Sequence, residues 1–205
     1  MAGYSDVKAV TITADTVALD ADGISVAAGV GNNAALTIGG ALASGGAVAL
    51  SHGRIVTILS AGNDAAKSFT VVGTDVNGDS QTESITGANA GTATGTKFFL
   101  TIASITAVGN PAGNVSAGVN ASAADVVFAG RSRLKGIYLT STATAGTVDF
   151  LRTSPSGTSI LGLSSVGDAD ATRDVVIPDE GVLFTDGIYV EYTVSTFLTM
   201  TVFHA

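Results

Sequence analysis

The chain has 205 residues, no cysteine, no tryptophan, and a formal charge of −8 from nine Lys or Arg against seventeen Asp or Glu. That balance excludes a surface built to displace phosphate counterions from nucleic acid, which needs clustered cations, and the lack of Cys excludes a disulfide framework. With eight Phe and four Tyr as its only aromatics, the core must come chiefly from Val, Ile and Leu rather than from the large rings that anchor most cores.

A chain of this length buries roughly 70% of its unfolded surface, enough for one large β domain or two small ones. Residues 1–8 lack a basic region followed by an apolar run, so no signal peptide is expected. Residues 1–50 read as short Ala-rich strands at 9–13, 16–19, 34–38 and 47–50, separated by Asp and Gly. Such strands offer little burial against a backbone ordering cost of about 1–2 kcal/mol per residue. They are therefore expected to form an extended N-terminal arm that packs on something else. The uncharged span between Asp22 and Arg54 carries eight glycines and the pair Asn32-Asn33, a poor composition for a membrane-spanning helix. No membrane partner is expected.

Residues 51–120 read as a first β domain. Apolar, Thr-rich runs at 52–60, 68–73 and 97–108 flank the segment Asp75-Val-Asn-Gly-Asp79. Asn-Gly between strands predicts a hairpin with a type I′ turn, because both residues accept positive φ. Residues 87–95 read as a loop, and residues 110–124, small and polar, as a flexible linker. Residues 125–205 predict a second β domain with strands at 134–140, 147–152, 159–163, 174–177, 188–193 and 197–203. Its turns are Ser154-Pro-Ser-Gly157 and Pro178-Asp-Glu-Gly181. In the last strand apolar residues fall on both faces, which predicts burial on both sides or on a partner. No segment reads as helix. The expected fold class is all-β: two small sandwich or jelly-roll-like domains after the arm.

Candidate sites are few. The only histidines are His52, before a strand, and His204, next to the last residue; neither comes with a local Ser-His-Asp pattern, and a His or Cys metal cage lacks ligands. Asp75, Asn77, Asp79 and Glu83 resemble the start of a calcium loop, but Gly78 is fourth and Glu83 ninth, where a calcium loop of this type needs Gly sixth and Glu twelfth. Asp168, Asp170 and Asp174 form a second acidic segment. Arg131, Arg133 and Lys135 share one face of a strand, either a solvated face or a contact for an anionic partner. Tyr138, Tyr189 and Tyr192 are the candidates for a carbohydrate platform, each inside an apolar strand. No catalytic, cofactor-binding or metal-ligating residue is assigned.

Several segments carry a resemblance. Gly53-Arg-Ile-Val-Thr-Ile-Leu-Ser-Ala-Gly-Asn-Asp64, Phe69-Thr-Val-Val-Gly-Thr-Asp-Val-Asn-Gly-Asp79 and Ala90-Gly-Thr-Ala-Thr-Gly-Thr-Lys-Phe-Phe99 resemble a module of virion structural proteins of tailed bacteriophages. Arg133-Leu-Lys-Gly-Ile-Tyr-Leu-Thr-Ser141, Ile177-Pro-Asp-Glu-Gly-Val-Leu-Phe184 and Gly187-Ile-Tyr-Val-Glu-Tyr192 are similar to the same group. The likeness covers residues 51–205. It implies a non-enzymatic decoration or cement protein of the phage head, without cofactor, whose partners are the major capsid protein and further copies of itself as a dimer or trimer. It also implies assembly in the host cytoplasm and residence in the virion. A tail or baseplate component touching host glycans is the alternative it leaves open, and a free enzyme or carbohydrate-binding module is the third.

Overall fold

The computed structural model describes residues 6–205. The protein is all-β, with no helix among the described residues. The strands are β1 (Lys8–Thr13), β2 (Asp20–Gly29), β3 (Ala43–Ser44), β4 (Ala47–Ser60), β5 (Ser68–Thr74), β6 (Ser80–Thr86), β7 (Thr92–Val108) and β8 (Asn114–Phe128). They continue with β9 (Ser132–Ser141), β10 (Ala145–Arg152), β11 (Thr158–Val166), β12 (Thr172–Val176), β13 (Val182–Phe184), β14 (Ile188–Thr193) and β15 (Phe197–His204). Two compact units result: residues 18–123 form one, and residues 1–17 with 124–205 form the other.

In the unit of residues 18–123 the strand order is β8-β4-β7-β5-β6, with β2 on β8 and β3 on β4. Its core gathers Ile24, Val56, Ile58, Phe69, Phe99, Ile102 and Ile105, β-branched and aromatic residues that fit a pleated, half-buried surface. Strand β7 is long enough to serve two neighbourhoods: residues 92–99 pair with 54–59 of β4, while residues 101–108 pair with β5. Between these registers β4 bulges at residues 50–53, and His52 lies in that bulge.

In the other unit, β1-β15-β9-β12 form one sheet with β13 also on β9, and β11-β10-β14 run beside the last residues of β8. Leu134, Ile137, Leu139, Met200 and Val202 of the first sheet are buried, as are Val148, Phe150, Val190 and Tyr192 of β10 and β14. The Tyr192 and Phe197 rings, one from β14 and one from β15, meet at 4.9 Å between centroids. The Tyr192 hydroxyl donates to Asp125 Oδ2 (3.1 Å) and accepts from Asp15 N (3.2 Å). Burial and the Asp125 charge both push that phenol well above its ordinary pKa.

Several expectations are corrected here. Residues 110–124 are not a linker: β8 starts at Asn114, and Val115, Ala117, Val119, Ala123 and Ala124 are buried. The small residues that suggest flexibility serve close approach instead, since a Cβ on Gly118 would sit 1.8 Å from the Asp20 carbonyl oxygen. Of residues 1–50, those from residue 6 onward pack on the rest of the chain rather than extending from it as an arm. Strand β1 pairs along β15 and β2 along β8, so each is an edge of a sheet. Deleting residues 1–50 would accordingly unroof both units rather than spare one. Residues 34–38 make only the bridge Ala35↔Thr106, and residues 16–19 are not a strand. The chain turns there because Asp15 Oδ1 accepts the Val17 N–H.

The Asn77-Gly78 hairpin forms, but not through a type I′ turn. Only Gly78 has positive φ (86°); Asp75 N donates to Asp79 O (2.9 Å) and Gly78 N to Asp75 O (3.1 Å). This is a three-residue loop with a left-handed glycine. The Asp75 carboxylate selects it by accepting the N–H of Asn77 (2.8 Å) and of Asp79 (3.0 Å). In β15 the irregularities after Phe197 and after Phe203 break strict alternation. Phe197, Met200, Val202 and His204 are thereby all buried, while Leu198 and Phe203 stay exposed.

Candidate functional site

The acidic residues singled out by sequence do not assemble. Asp75 is spent on the hairpin turn. The Glu83 carboxylate, buried, faces the first half of β7: Oε1 accepts from Thr96 N (2.6 Å) and Thr96 Oγ1 (2.9 Å), and Oε2 lies 3.4 Å from Lys97 N. In the other acidic segment Asp170 takes positive φ (61°) and donates its N–H to Ser141 O, while Asp168 O accepts from Ala171 N. No group of three or more His, Cys, Asp or Glu side chains suited to a metal ion occurs among the described residues.

The basic trio is also divided. Arg133 and Lys135 reach the carbonyls of the turn at residues 178–181, Lys135 Nζ lying 3.2 Å from Asp179 O. Arg131 instead lines a cleft of about 370 Å³ with Lys8, Phe128, Ser132 and His204. Of the three tyrosines, Tyr189 and Tyr192 are buried and Tyr138 alone is exposed, at 42%.

That cleft contains the one Ser–His contact of note. His204 Nδ1 lies 3.0 Å from Ser132 Oγ, and the same hydroxyl donates to Ala205 O at 3.1 Å. A hydroxyl has a single proton. With that proton on the carbonyl, Nδ1 must carry its own and donate to Oγ. A nucleophilic serine needs the reverse polarity, with the imidazole accepting. In that arrangement the hydroxyl is not set toward the imidazole as a nucleophile, and the Phe128 ring lies 5.2 Å from the imidazole centroid.

Burial, followed by the nearby Lys8 ammonium, lowers the His204 pKa below its ordinary value. A histidine held neutral in the fold takes up its proton more readily when unfolded, so stability is full above about pH 6.5 and falls as pH drops toward the lowered folded value. The melting temperature should decline between neutral pH and pH 5, and His204→Gln should flatten that part of the profile. Melting curves on both proteins across this range check it.

Two buried residues outside the sequence-based candidates matter structurally. Arg54 is fully buried in β4, with Nε donating to Ser122 O (3.1 Å) and Nη2 to Asn120 O. Asp64 is fully buried with Oδ1 accepting Ala112 N (2.7 Å), while its Oδ2 has no hydrogen-bond partner among the described residues. A lone Arg amid the apolar run at residues 53–59 was the one signal in the chain for the first. Nothing local marks the second.

The outward face of the β1-β15-β9-β12 sheet is set by register. Register sets Thr11 beside Thr201, Thr201 beside Tyr138 and Tyr138 beside Asp174; the next row sets Ala9 beside Phe203, with Val176 two strands away. Phe203, Tyr138 and Val176 are exposed on it, and Thr11 and Thr201 hydroxyls bond at 3.1 Å. No protein-family model, curated protein or solved structure matches the chain.

Proposed function

We propose that this is a non-enzymatic structural protein of a tailed-phage virion, a decoration or cement protein that bridges subunits of the head. The observation that carries this reading is the outward face just described: threonines around exposed Tyr138, Phe203 and Val176 on a five-stranded sheet. An aromatic-bearing, weakly charged face of regular strands suits adhesion to another protein surface. Repetition over a shell turns modest contacts into high avidity, and a net charge of −8 keeps unassembled copies apart in solution. The sequence likeness over residues 51–205 supports the particle, and the face supports attachment to another protein surface.

Exposed Tyr138 among hydroxyl side chains also favours the second reading, a tail or baseplate component that touches host glycans. Quantifying the protein on purified particles decides between them. A copy number comparable with that of the major shell protein is expected. A number matching the few-fold symmetry of a tail would move it there, and absence from particles would overturn both. Tyr138→Thr should abolish loading onto stripped heads while lowering the unfolding free energy by no more than about 1 kcal/mol, the span of strand propensity at an exposed site.

A further inference from the structure

We infer that Asn77, at the tip of the β5–β6 hairpin, is a modification site: its side chain deamidates spontaneously to aspartate and isoaspartate, at a rate set by the hold of Asp75 on the loop. The reaction consumes water and releases ammonia, with no enzyme or cofactor involved.

The chain holds eight asparagines, and Asn77 is the one followed by glycine; the others precede Asn, Ala, Asp, Pro or Val. Asparagine is among the chemically labile residues of proteins. Its breakdown starts when the backbone nitrogen of the next residue attacks the side-chain amide carbon. A Cβ on that next residue hinders the approach, and glycine leaves it open. Asn77 and Gly78 are both exposed, and a Cβ built on Gly78 would meet no atom within 4 Å. Solvent therefore reaches the Gly78 nitrogen, and a ring closing there has room. Hydroxide removes the Gly78 N–H proton. The bond from Gly78 N to Asn77 Cγ forms, the Cγ–Nδ2 bond breaks, and Nδ2 leaves as ammonia after taking a proton from water. Water then opens the cyclic imide at either carbonyl. Cleavage of the new N–Cγ bond gives aspartate. Cleavage of the original peptide bond gives isoaspartate, whose main chain runs through Cβ and Cγ and is one carbon longer.

The fold decides how fast this happens. Asp75 Oδ2 accepts from Asn77 Nδ2 (3.3 Å), Asp75 Oδ1 accepts from Asn77 N (2.8 Å), and the Asp75 carbonyl accepts from Gly78 N (3.1 Å). The leaving group and the attacking nitrogen are thus both held, and the proton that must depart is engaged. The Asp75 carboxylate also opposes the negative charge that deprotonation places on the Gly78 nitrogen. Reaction accordingly proceeds from moments when the loop opens locally, which exposed loops do at little cost. The folded protein therefore reacts more slowly than an unfolded chain, and at Asn77 before any other asparagine. Once isoaspartate forms, the lengthened main chain disturbs the Asp75 N–Asp79 O bond (2.9 Å) that closes the loop.

Incubating the folded full-length protein at mildly alkaline pH and then mapping its peptides by mass checks this. The peptide carrying residue 77 should gain the mass difference between an amide and an acid ahead of every other peptide, with part of the product scored as isoaspartate by enzymatic methylation. Asp75→Ala, with circular dichroism confirming that it folds, should react about three- to thirtyfold faster, the factor that loss of one or two hydrogen bonds gives. The parent protein unfolded in guanidinium should also react faster than the folded one, a measurement that needs no variant. Asn77→Ser should remove the early mass gain altogether. A folded protein that gains no mass at residue 77, one that gains it first at another asparagine, or a parent that reacts as fast folded as unfolded each overturns the inference, as does a folded D75A protein with the parent's rate.

Discussion

Replacing Gly118 with valine is expected to destabilise the protein by about 3–4 kcal/mol, a drop in melting temperature of roughly 10 °C for a chain of this size. The reason is backbone crowding. A Cβ at residue 118 of β8 would lie 1.8 Å from the Asp20 carbonyl oxygen and 2.6 Å from the Ala21 carbonyl carbon. Neither atom can swing aside as a side chain would. The strand pair β2–β8 would have to open, and β2 carries Ile24, which is fully buried in the core. Losing that burial alone costs on the order of 2 kcal/mol or more. Gly29→Ala on the same strand pair is the control, since its nearest neighbour would be Asn114 Oδ1 at 3.8 Å, an ordinary contact. Thermal or denaturant unfolding of the two variants checks the contrast; equal destabilisation would remove the argument from close approach.

Glu83→Ala should cost about 2–3 kcal/mol, and Glu83→Gln clearly less. The buried carboxylate accepts from Thr96 N, Thr96 Oγ1 and Lys97 N, joining the edge strand β6 to the first half of β7. Alanine removes the charged acceptor of these bonds, each worth about 1.5–3 kcal/mol when intact, while the exposed Thr96 and Lys97 can turn to water for part of the loss. Glutamine keeps one acceptor for the Thr96 pair but turns an amide N–H₂ toward the Lys97 N–H. Hydrogen exchange should show the loss at Thr96 and Lys97 before the rest of the unit opens, because theirs are the backbone N–H groups that the carboxylate accepts.

The two residues illustrate where sequence reading stops. In sequence Glu83 reads as an acidic neighbour of Asp75 and Asp79 at a spacing that fails for a calcium loop. Its actual role depends on Thr96, thirteen residues away and brought near only by the fold of β7. Gly118 sits in a stretch whose Ala, Ser, Asn and Gly content signals flexibility. Composition cannot distinguish a chain that is small because it is loose from one that is small because another strand lies against it. Arg54, His204 and Asp64 belong to the same class, since their partners at residues 120–122, 132 and 112 are distant in the chain.

Local chemistry was legible where neighbours in sequence are neighbours in space. Alternating β-branched residues marked most strands, and Asn77-Gly78, Pro155 and Pro178 marked turns that form. Even there, the turn type followed the Asp75 carboxylate rather than the Asn-Gly pair alone. Sequence by itself therefore determined the all-β class, the hairpins and the scarcity of titratable chemistry, because these follow from short-range sterics and side-chain period. Tertiary structure alone decided that residues 8–13 join the C-terminal sheet, that residues 114–128 are a continuous strand, and that β11 ends its sheet. Those outcomes depend on which strands meet, and strand partners are selected by burial and close approach between residues far apart in the chain.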